Sequence, residues 1–176
     1  MSREYYDCLF RFRGAERHLI WFSDDRDGVF ADEHYKVPTF ASTESLESAF
    51  PRLVHGQLKI ESPILQDLDS VEASCRSSGK LEIDCGSFLT AWNLYVDVAR
   101  SVGDRGSAYL DSDSSLDAEY DKLFHGNNFP AMTPPGQHYI PSWSDSERDN
   151  IRKHLILGSE LFGESIFRHE LIGGLE

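Results

Sequence analysis

Between Asp84 and Gly103 the residues Phe88, Trp92, Tyr95, Ala99 and Val102 recur at steps of four, three, four and three, which is one face of an α-helix. Leu89, Ala91, Leu94, Val96 and Val98 widen that face until only Asn93, Asp97, Arg100 and Ser101 remain as a narrow polar seam. A helix that is apolar on most sides must be covered on most sides. Asp84 can cap its start with a carboxylate, and Gly103 can end it in a left-handed conformation. The pattern predicts a central helix wrapped by the rest of the chain.

The N-terminal part has a different period. From Tyr5 to Arg13, Tyr6, Cys8, Phe10 and Phe12 alternate with Asp7, Arg11 and Arg13, the mark of a half-buried strand. After the break at Gly14–Glu16, His18 to Phe22 makes a second strand, so an antiparallel hairpin is expected. Short pieces at Val29–Phe30 and Tyr35–Val37 extend the sheet until Pro38 breaks it. Ser42 or Thr43 begins a short helix closed by Pro51, Leu58–Ile60 is a candidate strand, and Asp67 or Asp69 caps a helix running to about Ser77.

Beyond the central helix, residues 104–115 read as an exposed loop rich in Gly, Ser and Asp. Leu116, Tyr120, Leu123 and Phe124 mark a short amphipathic helix. Residues 129–142 read as an ordered, Pro-rich crossover in which Phe129, Met132, Tyr139 and Ile140 need burial. Ser144 and Glu147 have capping-box spacing and open a long helix with Ile151, Leu155, Gly158, Phe162 and Ile166 on one face. That helix should pack on the central one, with Gly158 allowing close approach. Gly173–Gly174 would begin a frayed tail. The expected class is α+β in a single domain over 1–176: a small N-terminal antiparallel sheet (about 4–60) packed against a C-terminal helical bundle (about 65–172) with a largely buried central helix.

Charge narrows the possible functions. The 176 residues carry 17 Lys and Arg against 30 Asp and Glu, a formal net charge of −13. Such a surface repels phosphate backbones and anionic lipid, so neither nucleic acid nor membrane is the expected partner. It attracts basic proteins, although acidity alone also serves solubility. No run approaches the roughly 18 apolar residues of a membrane span. The N-terminus lacks the apolar stretch of a secretory signal, and three cysteines without a Cys-x-x-Cys fit a reduced, cytoplasmic protein.

Motif chemistry is sparse. In the run from Asp111 to Glu119, Leu116 stands where a calcium loop needs Gly, and Lys122 stands where it needs Glu. The seven histidines lack i, i+4 pairs, and the cysteines are widely spaced, so no metal and no cofactor is expected. There is no Gly-x-Ser-x-Gly, Walker or Gly-x-Gly-x-x-Gly motif. Cys85 and His125 are the one candidate nucleophile and base, for a small hydrolase; the competing reading makes Cys85 a small packed residue. Residues 104–122 hold six acids against Arg105 and Lys122, with Tyr109, Tyr120, His138, Tyr139 and Trp143 nearby. An acidic rim with aromatic anchors suits a basic protein partner, unless those aromatics are core.

Three strings carry a resemblance: Ala91-Trp92-Asn93-Leu94, the stretch Tyr120-Asp-Lys-Leu-Phe-His-Gly-Asn-Asn-Phe-Pro130, and His138-Tyr-Ile-Pro-Ser-Trp143. They are similar to small bacterial immunity proteins of polymorphic toxin and contact-dependent growth inhibition systems, over about 67–169. The resemblance implies a cytosolic protein that binds a toxin domain, often a nuclease, and covers its active site; the absence of motif chemistry separately favours a protein that is not an enzyme. The resemblance assigns no individual residue. Physics adds that carboxylates can occupy a basic nuclease site where phosphates would lie. On that reading Asp111, Asp113, Asp117, Glu119 and Asp121 form an acidic comb and Tyr109, Tyr139 and Trp143 are anchors. The expected state is a monomer that forms a heterodimer with its toxin. A self-associating adaptor using His138–Trp143 is the third reading.

Overall fold

A computed structural model describes residues 3–59 and 61–169. Strands β1 (Glu4–Phe12) and β2 (Ala15–Ser23) form the expected antiparallel hairpin, with Cys8 opposite Leu19. Its two-residue turn has positive φ at Arg13 (51°) and Gly14 (76°), the backbone a tight hairpin demands. Both turn amides donate to the carboxylate of Asp69, at 2.6 and 2.8 Å. Asp67 is therefore the acid that caps the next helix, accepting from the Ser70 amide.

The sheet is mixed. β3 (Gly28–Val29) pairs antiparallel with β2, whereas β5 (Leu58–Lys59) and β6 (Gln66–Asp67) pair parallel with β1. Parallel pairing requires a crossover, and α1 (Thr43–Leu53) lies in the connection that leads to β5. Ser42 caps α1 through a capping box with Ser45, and Pro51 lies inside its last turn instead of closing it. β4 (Val37–Thr39) does not extend the main sheet. It pairs parallel with β7 (Ile166–Arg168) in a separate two-stranded sheet. Pro38 is tolerated there because, among the described residues, β4 pairs along its length with β7 alone, and only the next residue, Phe40, bridges to His18 of β2.

Alternation on β1 and β2 separates two apolar layers. Cys8, Phe10, Phe12 and Leu19 face the helices, whereas Tyr5 and Ile20 pack with Leu46, Ala49 and Phe50 of α1. The helical side is built from α2 (Leu68–Arg76), α3 (Cys85–Ser101), α4 (Ser107–Asp113), α5 (Asp117–Gly126) and α6 (Asp145–Ser165). α3 is the expected central helix. Asp84 caps it by accepting from the Ser87 amide, Gly103 takes φ 63°, and Trp92 and Tyr95 are fully buried. α6 crosses it at Gly158, where a Cβ would stand 2.4 Å from Tyr95 Cδ2. The capping box of Ser144 and Glu147 is present.

Several expectations are corrected. Residues 104–115 are not an open loop: a 3-10 turn (Gly103–Gly106) leads straight into α4, because Tyr109 supplies a buried anchor. α6 stops at Ser165, and Ile166 is extended, drawn into pairing with β4. The crossover at 129–142 is not buried. Met132 is 64% and Ile140 86% exposed, and Phe129 and Tyr139 are also exposed. Ile60 and the tail at Gly173–Gly174 lie outside the described residues.

Candidate functional site

The polar seam of α3 forms the floor of a cleft of about 460 Å³. β2 contributes Trp21, the turn before β3 contributes Asp27, α3 contributes Trp92, Asn93, Asp97 and Arg100, α4 contributes Asp113, and α5 contributes Asp117 and Tyr120. Two indoles fix two carboxylates. Trp21 Nε1 donates to Asp97 Oδ2 at 2.8 Å, and Trp92 Nε1 donates to Asp113 Oδ1 at 2.6 Å. The Tyr120 hydroxyl donates to Asn93 Oδ1 at 2.9 Å, and its ring meets Trp92 edge-on. Four carboxylates thus face one guanidinium, that of Arg100, which lies 3.6 Å from Asp97 Oδ1.

Those surroundings act differently on the two fixed acids. Burial pushes Asp97 up to about 6, against the Trp21 hydrogen bond and Arg100. Burial also pushes on Asp113, but His154 and the Trp92 N–H outweigh it and hold that carboxyl below its ordinary value. A second, more apolar groove of about 520 Å³, lined by Pro63, Ile64, Cys8 and Leu94 among others, shares Trp21, Asn93 and Asp97 with the cleft. Asp97 therefore stands where the two hollows meet.

The candidates chosen from sequence separate into three groups. Tyr109 is not an anchor at the surface: it is 2% exposed and stacks on His154 at 4.3 Å. Glu119 is likewise turned inward, accepting from Asn150 Nδ2 at 2.8 Å, so it is no tooth of an exposed comb. Asp113 is half-buried and held by Trp92. The exposed acids are Asp111, Asp117 and Asp121, and the latter two stand one turn apart on the outer face of α5. Trp143 is half-buried against the core, with the Lys122 ammonium 5.5 Å from its ring centre. Tyr139 is exposed.

The outer stripe of α5 continues from Asp117 and Asp121 to His125, whose ring meets Tyr139 edge-on at 6.4 Å. Lys122 leaves the stripe uncompensated, since its ammonium bonds Glu147 and the Ser142 carbonyl. Beyond His125 rises the ridge of Phe129, Met132, Tyr139 and Ile140. Asn128, at φ 49°, clamps its base: the side-chain amide donates to the Tyr139 carbonyl and its oxygen accepts from the Tyr139 amide, at 2.9 and 2.8 Å. A sequence signal for this ridge exists. From Leu123 to Ser144 there is no Asp, Glu, Lys or Arg, in a chain that is 27% charged. The cleft had no such signal, because its members come from five separate segments.

The Cys85–His125 pairing gains little support. Cys85 packs against Gly126, where a Cβ would meet its Sγ at 2.6 Å, and burial followed by Asp84 raises its thiol above the ordinary range. An activated nucleophile needs the opposite shift. Among the described residues no group of three or more His, Cys, Asp or Glu side chains is placed to hold a metal ion, and no helix is long and apolar enough to cross a membrane. No protein-family model, no curated protein and no solved structure matches this chain.

Proposed function

We propose that the protein is an immunity-type inhibitor that binds a basic toxin domain, a nuclease being the favoured class, and covers its active site. It acts by occupation, in the cytoplasm, as one copy against one toxin domain, with no cofactor and no turnover. The observation that carries this reading is the joined surface: the acidic stripe of Asp117 and Asp121 runs through His125 into an exposed, charge-free apolar ridge. Charges of one sign steer a basic partner, and desolvated apolar anchors then hold it. Monomeric proteins seldom leave such apolar area uncovered without an interaction to serve. The three strings similar to immunity proteins support the same partner class, and two of them, spanning 120–130 and 138–143, contain Asp121, His125, Phe129, Tyr139 and Ile140 of this surface.

The test is protection of cells that express the cognate toxin domain, together with titration of the purified pair. Asp117→Lys combined with Asp121→Lys should weaken binding at least tenfold, mainly by slowing association. Ile140→Asp should speed dissociation. Unchanged affinity in both variants would remove this surface from the interface. The exposed ridge also suits a self-associating adaptor. Sedimentation of the free protein over a range of concentrations distinguishes the two, since the inhibitor stays monomeric.

A further inference from the structure

A hollow of about 780 Å³, larger than the cleft and the groove above, opens between the C-terminal ends of α3 and α1 and the segment that follows β3. That volume suits a small organic ligand. Aromatic rings form part of its wall: Tyr5 and Phe22, which meet edge-on at 6.2 Å, together with Phe30 and Tyr35. Arg26 and Arg100 line it as well. Among the described residues neither guanidinium makes a hydrogen bond. Arg26 has no ion pair there either, and Arg100 has only its 3.6 Å contact with Asp97. The third arginine of the wall, Arg3, is already committed to Asp24 at 3.1 Å and to the face of Phe22. The acids of the wall have other donors. Asp27 accepts from the Ser23 hydroxyl, and Asp32 Oδ1 takes the amides of His34 and Lys36 at 2.8 and 2.9 Å.

Tyr35 supplies an independent observation. Its φ is 57°, a left-handed backbone that a bulky side chain seldom adopts. Three contacts hold it so. Its amide donates to the Asp32 carbonyl at 2.9 Å, its own carbonyl accepts from the Arg105 guanidinium, and its ring lies over Gly103, where a Cβ would stand 3.3 Å away. The ring is nevertheless 56% exposed, so burial does little to offset the strain. Backbone outliers held in this way gather where a ligand is clamped.

We propose that this hollow binds a small aromatic carboxylate, with Arg26 taking the carboxylate, Arg100 assisting, and Tyr35 covering the ring. A carboxylate matches the planar guanidinium fork. A single negative charge suits the site better than a phosphate dianion, because Asp27 and Asp32 stand in the same wall. Aromatic side chains favour a flat ring set against them. The net charge of −13 does not forbid an anion, since distant acids are screened over about 10 Å at 0.1 M salt and the two arginines line the hollow itself. The site goes beyond the inhibitor reading and does not rest on it. Arg100 and Ser101 place it at the C-terminal end of α3, whereas Cys85, at the other end, packs beside Gly126 and Pro141 below the ridge. Those ends lie roughly 20 Å apart along the helix.

Naphthoate is the probe, titrated into the full chain while backbone amide resonances are followed. Val29, Ala31 and Tyr35 should shift together and saturate in the range of about 0.1–1 mM, while the amides of Tyr120 and Leu123 in α5 stay in place. Naphthalenemethanol, which lacks the charge, and acetate, which lacks the ring, should bind at least tenfold more weakly. Arg26→Gln should weaken naphthoate by about tenfold or more. Tyr35→Asn keeps a residue that tolerates the left-handed backbone and removes the ring, and should weaken it by about threefold or more. Both residues are exposed, so the circular dichroism spectrum should not change. Three results overturn the assignment: no saturation up to about 20 mM, equal binding of either control, or undiminished binding in either variant. Cell protection judges the inhibitor reading separately, and failure of either leaves the other standing.

Discussion

At Asp97 the chain buries a carboxylate beneath an indole and supplies no hydrogen-bonded cation. Its folded pKa of about 6 lies above the ordinary 3.8, so between those values the folded state holds more protons than the unfolded chain. Stability conferred through this residue therefore falls as pH rises from about 4 to about 6, and stays low above that. Two units correspond to at most about 3 kcal/mol. Asp97→Asn removes the charge and keeps the Trp21 acceptor. It should stabilise the protein by roughly 1–3 kcal/mol at pH 7.5 and by little at pH 4, measured by urea unfolding at both values. A variant no more stable at pH 7.5 than wild type would show the carboxylate to be better solvated than its burial implies. The helical period placed Asp97 in the polar seam of α3. That Trp21 folds over it from a strand 76 positions away is invisible to any local pattern.

Helices announced themselves through period and caps, and those signals are local. Asp84 and Ser144 accept from amides three residues ahead, as their spacing requires. Gly158 was also legible, as a small residue on an otherwise apolar face, and it marks a close approach of α6 to Tyr95 of α3. In an open helix Gly→Ala gains up to about 1 kcal/mol. Here the new Cβ would press on Tyr95, which is itself wedged against Phe162. Gly158→Ala should instead destabilise by about 1–3 kcal/mol, read as a lower thermal midpoint, and a rise in that midpoint would show the crossing to be slack. Where expectation failed, a distant partner had intervened. α4 formed because Tyr109 found His154, and α6 ended because Ile166 found β4. Composition predicted loop for the first and helical period predicted helix for the second, and tertiary contacts overrode both.

Over the whole molecule the net charge of −13 gives a long-range attraction to any basic protein. Such attraction is screened over about 10 Å at 0.1 M salt and about 3 Å at 1 M. Association with the proposed toxin domain should slow by roughly tenfold or more between 0.05 and 0.5 M salt, while dissociation, governed by the apolar ridge, changes little. Stopped-flow measurement of both rates decides this, and a salt-independent association rate would sever acidity from partner choice. The charge imbalance and the charge-free run before α6 were both plain in the sequence. Their adjacency was not, since it depends on α5 laying Asp117, Asp121 and His125 along one outer line that ends at Tyr139.

What the sequence determined by itself is therefore the set of parts: a hairpin at the N-terminus, a central helix covered on most sides, a capped C-terminal helix, and an acidic surface. Alternation, helical period and capping act within a turn or two of chain, so they can be read without knowing what lies opposite. The tertiary structure alone decided which acids converge. Asp27, Asp97, Asp113 and Asp117 stand on four separate segments, and two indoles from elsewhere orient two of them. It likewise decided that Tyr109 and Glu119 turn inward while Met132 and Ile140 stand in solvent. Burial is settled by whatever packs on a residue from far along the chain, and no local spacing records that.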